Sequence, residues 1–94
     1  MMENRKISLS PEVLSQEIDG ETVLLDLASE QYFGLDAVGT RVWQLLQEGN
    51  DLVAVYEAML KEYDVDAARL ESDLRGIIGK LADAGLISNA PPEQ

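Results

Sequence analysis

Apolar residues between Ile7 and Asp36 recur at close to every second position, a spacing that is typical of β-strands. Turn residues interrupt the pattern and divide it into three short predicted strands, over residues 13–18, 22–27 and 32–35. The dipeptide Asp19-Gly20 between the first two strands suits a tight hairpin turn. We therefore predict a three-stranded antiparallel meander.

Alternation also assigns side chains to the two faces of this sheet, because successive residues of a strand point in opposite directions. The apolar residues of the second strand share a single face: Val23, Leu25 and Leu27. On the third strand, Phe33 and Leu35 lie on the face opposite Tyr32 and Gly34. We expect Phe33 and Leu35 to pack against the core and Tyr32 to point away from it.

After Leu35 the apolar spacing changes to the 3.6-residue period of helices. Three helices are predicted, over residues 36–49, 51–63 and 66–84. Asp36 is the candidate N-cap of the first, and Gly49 and Gly85 stand where a left-handed residue ends the first and the third. Trp43 is expected in the core, with its indole N–H donating to a backbone carbonyl.

A chain of 94 residues with 46% hydrophobic residues suits one domain with a modest core. We expect that domain over residues 13–87, after a flexible N-terminal segment, 1–12, and before a disordered polar tail, 88–94. The sequence contains no apolar run of the length that secretion or membrane insertion requires. This predicts a cytoplasmic protein without a membrane partner.

Charge and composition limit the chemistry further. The 18 acidic and 7 basic residues give a net charge of −11, which opposes contact with a phosphate backbone and argues against a nucleic-acid partner. The absence of Cys and His removes thiolate nucleophiles, imidazole bases and the usual zinc ligands. We expect no enzyme activity, no metal and no cofactor.

Three patterns suggest other functions. The run Asp64–Asp66 resembles the opening of a calcium loop, but Ala68 and Arg69 occupy positions that need a ligand and a glycine, and these aspartates suit a helix cap better. An acyl carrier's attachment serine follows an aspartate, whereas Ser72 precedes Asp73 within a helix. A winged-helix DNA-binding regulator fits the order of elements, although the third helix mixes basic with acidic residues.

The most specific feature of the chain is a run that starts at Tyr32 and reads Tyr-Phe-Gly-Leu-Asp-Ala-Val-Gly-Thr-Arg-Val-Trp-Gln-Leu-Leu. With Leu24-Leu25-Asp26 before it and Leu81 and Ala84-Gly85-Leu86-Ile87 after it, the chain resembles the PqqD-like family over about residues 13–87. The resemblance implies an α+β, winged-helix-like fold with an N-terminal three-stranded antiparallel sheet followed by three helices. It also implies a non-catalytic recognition element, which binds the leader of a ribosomally made precursor peptide as an added strand and presents it to a modifying enzyme.

Two departures indicate which branch of the family the chain resembles. Val38-Gly39 and Gln47-Glu48-Gly49 stand where proteins of pyrroloquinoline quinone synthesis usually carry an alanine pair and a Cys-Asp-Gly ending. The spacing from Gly39 to Trp43 is similar to that in the free-standing recognition proteins of lasso-peptide biosynthesis, which act beside a leader peptidase and a cyclase. The lasso pathway is therefore favoured. The alternative is a peptide chaperone for the quinone or for another peptide modified by a radical SAM enzyme.

The resemblance implies leader contacts on the third strand, where an open edge also admits a second copy of the chain as a homodimer, and on the third helix. One flank of that helix presents Asp73, Ile77 and Lys80, and we expect it to line the cleft. Ile77 would form an apolar site, Asp73 would accept a hydrogen bond, and Arg69 or Lys80 would meet an acidic leader residue. The predicted leader-binding residues are Gln31, Tyr32, Phe33, Gly34, Arg69, Asp73, Leu74, Ile77 and Lys80.

Overall fold

The structure, a computed structural model, describes residues 6–90 as two small antiparallel sheets and three helices. The elements in chain order are β1 (Lys6–Leu9), β2 (Val13–Ile18), β3 (Glu21–Asp26), β4 (Gln31–Leu35), α1 (Ala37–Gln47), α2 (Leu52–Glu62), α3 (Ala67–Asp83) and β5 (Ile87–Ala90). The larger sheet has the strand order β2-β3-β4, and β1 pairs with β5. The predicted α+β fold, with a three-stranded antiparallel sheet followed by three helices, is confirmed.

Two turns set the register of the larger sheet. Asp19 and Gly20 both have positive φ, 53° and 80°, which a two-residue hairpin turn between twisted strands requires, and Ile18 pairs with Glu21 beside it. In the turn between β3 and β4, the buried Asp26 carboxylate accepts hydrogen bonds from the Ala28 N–H at 3.1 Å and from the Ser29 hydroxyl at 2.8 Å. Asp26 thereby orders the turn that leads into β4.

Each helix begins at an aspartate that caps it. The carboxylates of Asp36, Asp51 and Asp66 accept hydrogen bonds from the backbone N–H three residues later, at 2.8, 2.9 and 3.2 Å. These bonds satisfy donors that have no partner within the helix. Gly49 follows α1 with a φ of 91° and Gly85 follows α3 with a φ of 77°, so both glycines end their helices in the left-handed conformation that the sequence predicts.

The helices bury the centre of the molecule against one face of the larger sheet. The largest side chains with almost no exposure are Leu24, Met59, Leu74, Leu86, Val42 and Val55. Trp43 belongs to this core, as predicted, with 3% exposure. The expected hydrogen bond to a carbonyl is wrong, because Trp43 Nε1 is buried and has no hydrogen-bond partner within residues 6–90. Packing alone holds the indole.

Two strands that the sequence pattern did not predict lie toward the ends of the chain. β1 falls in the segment 1–12 and β5 extends into 88–94, and the two strands pair antiparallel with Leu9 opposite Ile87. Three kinds of contact join this pair of strands to the domain: Ile7 and Leu9 pack against the core, Ile87 is buried, and the Ser10 N–H donates to the Leu86 carbonyl at 2.9 Å. The predicted flexibility of the terminal segments stays a prediction, and residues 1–5 and 91–94 lie outside the described part.

The two faces of the larger sheet are unlike. The inner face, which α1 covers, contains Thr22, Leu24 and Asp26 of β3, all buried. Phe33 and Leu35 of β4 pack against the core from the same side, as predicted. Val23 and Leu25 lie on the outer face, as does Tyr32, which is 72% exposed. None of the helices within residues 6–90 has both the length and the apolarity needed to cross a membrane.

Candidate functional site

The free edge of β4 is the first component of the candidate site. β4 pairs with β3 along one side, with Tyr32 opposite Leu25 and Gly34 opposite Val23, and no described strand pairs with its other side. Such an edge presents backbone N–H and carbonyl groups that are ready to pair with another extended chain. The edge therefore has the chemistry needed to add a peptide strand.

A groove separates the C-terminal end of β4 from α3, and we call it the β4–α3 groove. One part, with a volume of about 270 Å³, is lined by Gly34, Leu35, Asp36, Gly39, Ile77, Lys80 and Leu81. A neighbouring part of about 380 Å³ is lined by Asp36, Val38, Ser72, Asp73, Gly76, Ile77 and Lys80. Asp36, Ile77 and Lys80 line both parts, so the groove is continuous along α3.

A small apolar cavity opens beside this groove. Its volume is about 60 Å³, and its lining is Val38, Met59, Tyr63, Val65, Leu70, Asp73, Leu74 and Ile77. Ile77 lines this cavity and both parts of the groove. The groove therefore combines a mixed polar wall with one site for an apolar side chain.

Two glycines in the walls of the groove leave open space beside the backbone. A Cβ atom built on Gly34 of β4 or on Gly76 of α3 meets no heavy atom within 4 Å. Both positions border open space, into which another backbone can approach closely. Gly39 differs, because a Cβ there would lie 3.3 Å from both Asp36 Oδ1 and Leu35 Cβ. Gly39 thus maintains the close contact between the start of α1 and the end of β4.

The groove has charged residues on both sides: Asp36 after β4, and Asp73 and Lys80 on α3. The Asp36 carboxylate is occupied as the cap of α1, since its Oδ1 accepts the Gly39 N–H at 2.8 Å. Asp73 lies 3.9 Å from the Arg69 guanidinium, and both side chains are largely exposed, at 61% and 80%. A long contact between exposed charges contributes little free energy. The Asp73 carboxylate can therefore accept a hydrogen bond from a bound molecule.

An ion pair holds α1, which forms one wall, against α2. Arg41 Nε and Nη2 donate to the two carboxylate oxygens of Glu62 at 2.8 and 2.7 Å. The hydrogen bond from Arg41 lowers the pKa of Glu62, and the same bond raises the pKa of Arg41. This bidentate geometry fixes the orientation of both side chains. It ties the end of α2 to the first half of α1.

The structure brings five of the predicted residues together and separates the other four. Those that line the groove or its apolar cavity are Gly34, Asp73, Leu74, Ile77 and Lys80. Tyr32 is on the outer face of the sheet, Phe33 packs on the inner face and Gln31 is exposed at the start of β4. Arg69 lies outside the lining, with its side chain 80% exposed.

Sequence reasoning missed the contribution of α1 and α2. Asp36, Val38 and Gly39 line the groove, and Met59 and Tyr63 line the apolar cavity. The cap at Asp36 was predicted, but nothing in its local pattern indicates that the first turn of α1 faces α3. That proximity is a property of helix packing and has no local signal.

The two arginines of α3 do not form a face for phosphates. Arg75 Nη2 lies 3.1 Å from Glu71 Oε2, one turn away on the same helix, and Arg69 is next to Asp73. Both guanidinium groups are thus beside carboxylates. This arrangement disfavours the use of α3 as a recognition helix for DNA.

Comparison with known proteins gives consistent matches. The family model "Coenzyme PQQ synthesis protein D (PqqD)" matches residues 21–87. The solved structure "TbiB1 in Complex with the TbiA(beta) Leader Peptide" is 44% identical with a TM-score of 0.83, and the match covers 86% of this chain and 94% of that chain. The solved structure "Lasso peptide synthetase B1 complexed with the leader peptide" is 26% identical with a TM-score of 0.79, and the match covers 88% of this chain and 98% of that chain. No curated protein sequence matches. Since the family model spans most of the chain, from β3 to the start of β5, this chain belongs to the PqqD family.

Proposed function

We propose that this chain binds the leader segment of a ribosomally made precursor peptide as an added strand on the free edge of β4. The observation that carries the proposal is the position of that edge beside the β4–α3 groove, which has an apolar cavity at Ile77. An extended peptide gains affinity from backbone hydrogen bonds and specificity from the pockets that receive its alternate side chains. Two structurally similar proteins, each solved in complex with a leader peptide, support this assignment.

The residues of the groove have separate roles in this proposal. Ile77 and Leu74 bury an apolar leader side chain at the small cavity. Asp73 accepts a hydrogen bond from the leader, and Lys80 meets an acidic leader residue across the groove. Gly34 lets the leader backbone approach β4. Tyr32 contributes backbone groups from the free edge of β4, with Gln31 and Phe33 on either side of it along the strand, and Arg69 contacts the leader where it leaves the groove.

The chain acts without catalysing a reaction and hands the bound leader to a cytoplasmic peptide-modifying enzyme. Lasso-peptide biosynthesis, with its leader peptidase and cyclase, is the favoured pathway, because one of the similar structures is that of a lasso peptide synthetase B1. The second candidate is a peptide chaperone for pyrroloquinoline quinone synthesis, since the matching family model is that of a coenzyme PQQ synthesis protein.

A titration distinguishes these pathways. Labelled leader peptides from lasso precursors, with the TbiA(beta) leader among them, and the precursor peptide of the quinone pathway are each titrated into the protein, and backbone amide shifts are recorded. We expect saturable binding of a lasso leader with shifts at β4 and at α3 from Asp73 to Lys80. Binding of the quinone precursor alone would favour the second candidate. No shift with any peptide would overturn the proposal.

A backbone variant tests whether the leader is bound at the strand edge. In Tyr32→Pro the substituted residue has no N–H to donate, and we expect it to weaken leader binding far more than it destabilises the fold. Leu60→Ala, which shortens an exposed side chain of α2 outside the groove, is the control. Unchanged affinity in a folded Tyr32→Pro protein would exclude the edge-strand mode of binding.

A further inference from the structure

The outer face of the larger sheet carries exposed apolar side chains that are uncovered in the described part of the chain. They are Tyr32 at 72%, Leu14 at 56%, Ile18 at 52% and Val23 at 37%. Leu14 and Tyr32 flank Leu25 in one cross-strand row, so these three residues form a contiguous surface across β2, β3 and β4. A contiguous apolar surface on a small protein marks a site of interaction.

β2 places two of its three apolar side chains on the outer face. Leu14 and Ile18 point outward together with Gln16, whereas Val13 packs against the core. The inward positions of Ser15 and Glu17 are polar: Ser15 Oγ accepts a hydrogen bond from Gln47 at 3.2 Å, and Glu17 Oε2 accepts one from Gln44 at 2.8 Å. A half-buried strand normally places its apolar side chains toward the core. The pattern of β2 therefore suits a sheet with a second layer on its outer face.

The charge around this face has a single sign. Between Ile7 and Thr40 the sequence contains no Lys and no Arg. It contains seven acidic residues: Glu12, Glu17, Asp19, Glu21, Asp26, Glu30 and Asp36. Asp19, Glu21 and Glu30 are exposed at the ends of the strands that form the face. The outer face thus has an apolar centre and an acidic rim.

The apolar centre and the acidic rim together indicate which type of partner binds the outer face. A second copy of the chain would bring one acidic rim against another, and an anionic membrane would be repelled in the same way. A protein with an apolar patch bordered by Lys and Arg complements both the centre and the rim. We propose that the outer face docks such a basic-rimmed patch on the enzyme that processes the leader. This inference rests on the proposed function.

The position of the face couples docking to leader binding. A leader added to the edge of β4 continues the sheet, and alternate side chains of the new strand extend the outer face beside Tyr32. An enzyme docked on this face contacts the chain and its leader together. It therefore binds the leader-loaded chain more tightly than the free chain, and the leader gains the same factor of affinity.

The test uses purified leader peptidases of lasso-peptide biosynthesis, with binding to this chain measured in the presence and absence of a lasso leader. The double variant Leu14→Ser, Ile18→Ser removes the apolar centre, and Leu60→Ser, which changes an exposed leucine of α2, is the matched control. We expect the double variant to weaken peptidase binding about ten-fold or more while its leader affinity stays unchanged. We also expect Glu21→Lys to weaken peptidase binding, and added salt to weaken it in the wild type.

The outcomes separate this inference from the proposed function. Equal peptidase affinity for the double variant and the control overturns the docking surface even when the leader binds normally. Absence of peptidase binding to the wild type, with or without leader, overturns it as well. Loss of leader binding in the wild type contradicts the proposed function instead. A wild-type dimer in sedimentation that the double variant abolishes would assign the face to a second copy and overturn the inference.

Discussion

The variant Ile77→Ala tests the apolar part of the groove most directly. Ile77 is partly buried, and it lines the small cavity as well as both parts of the groove. The substitution removes the part of the side chain beyond Cβ and leaves the backbone of α3 unchanged. We expect weaker binding of the leader, because an apolar anchor loses most of its contact surface.

The magnitude follows from the burial of the side chain. Removing three carbon atoms costs about 2.4 kcal/mol when all of them pass from water into an apolar site, at about 0.8 kcal/mol each. Because Ile77 is already partly buried in the free protein, with at most about a third of the residue exposed, the leader covers at most that third. The expected loss is therefore up to about 0.8 kcal/mol, which corresponds to an increase in Kd of up to about four-fold.

The assay is isothermal titration calorimetry, in which a lasso leader that binds the wild type is titrated into each protein at a temperature where wild type and variant are both folded. Leu60→Ala is the control, since this leucine is exposed on α2 and lines none of the three cavities. The control is expected to keep the wild-type Kd. An unchanged Kd in folded Ile77→Ala would refute the reasoning, because it would mean that the leader does not cover this side chain.

Three further predictions concern stability. Asp26→Ala removes the acceptor of two hydrogen bonds in the β3–β4 turn and should lower the free energy of unfolding in urea by about 1–3 kcal/mol; no change would mean that the turn does not need the carboxylate. Glu30 has a φ of 60°, so Glu30→Gly should raise Tm, and a lower Tm would contradict the backbone strain. The hydrogen bond from Arg41 lowers the pKa of Glu62, so this pair stabilises the fold above the ordinary glutamate pKa and loses its effect as the pH falls through the lowered pKa. The difference in Tm between wild type and Glu62→Gln should therefore disappear in acid, and a constant difference would exclude this linkage.

The part of the candidate site on α3 was predictable from helix periodicity. The spacing of α3 places Asp73, Ile77 and Lys80 on one flank, and these three residues line the groove. The family resemblance implied leader contacts on this flank and on the strand that ends at Leu35. The participation of Val38 and Gly39 could not be derived in this way, because it depends on how α1 packs across from α3.

The sequence by itself determined the elements and their ends, because these depend on near neighbours. Strand alternation and helix periodicity are local, and so are the cap at Asp36, the left-handed turn at Asp19-Gly20 and the helix-ending Gly49. A strand or helix boundary needs only the hydrogen bonds of adjacent residues. The predicted three-stranded sheet and three helices followed from such signals.

Only the tertiary structure decided which surfaces are buried. Alternation places Val23 and Leu25 together on one face, but it does not say whether α1 packs on that face, and α1 covers the opposite one around Leu24. The pairing of Leu9 with Ile87 likewise joins the two ends of the chain and has no local signal. Burial is a property of the whole packed molecule, whereas periodicity is a property of a short segment.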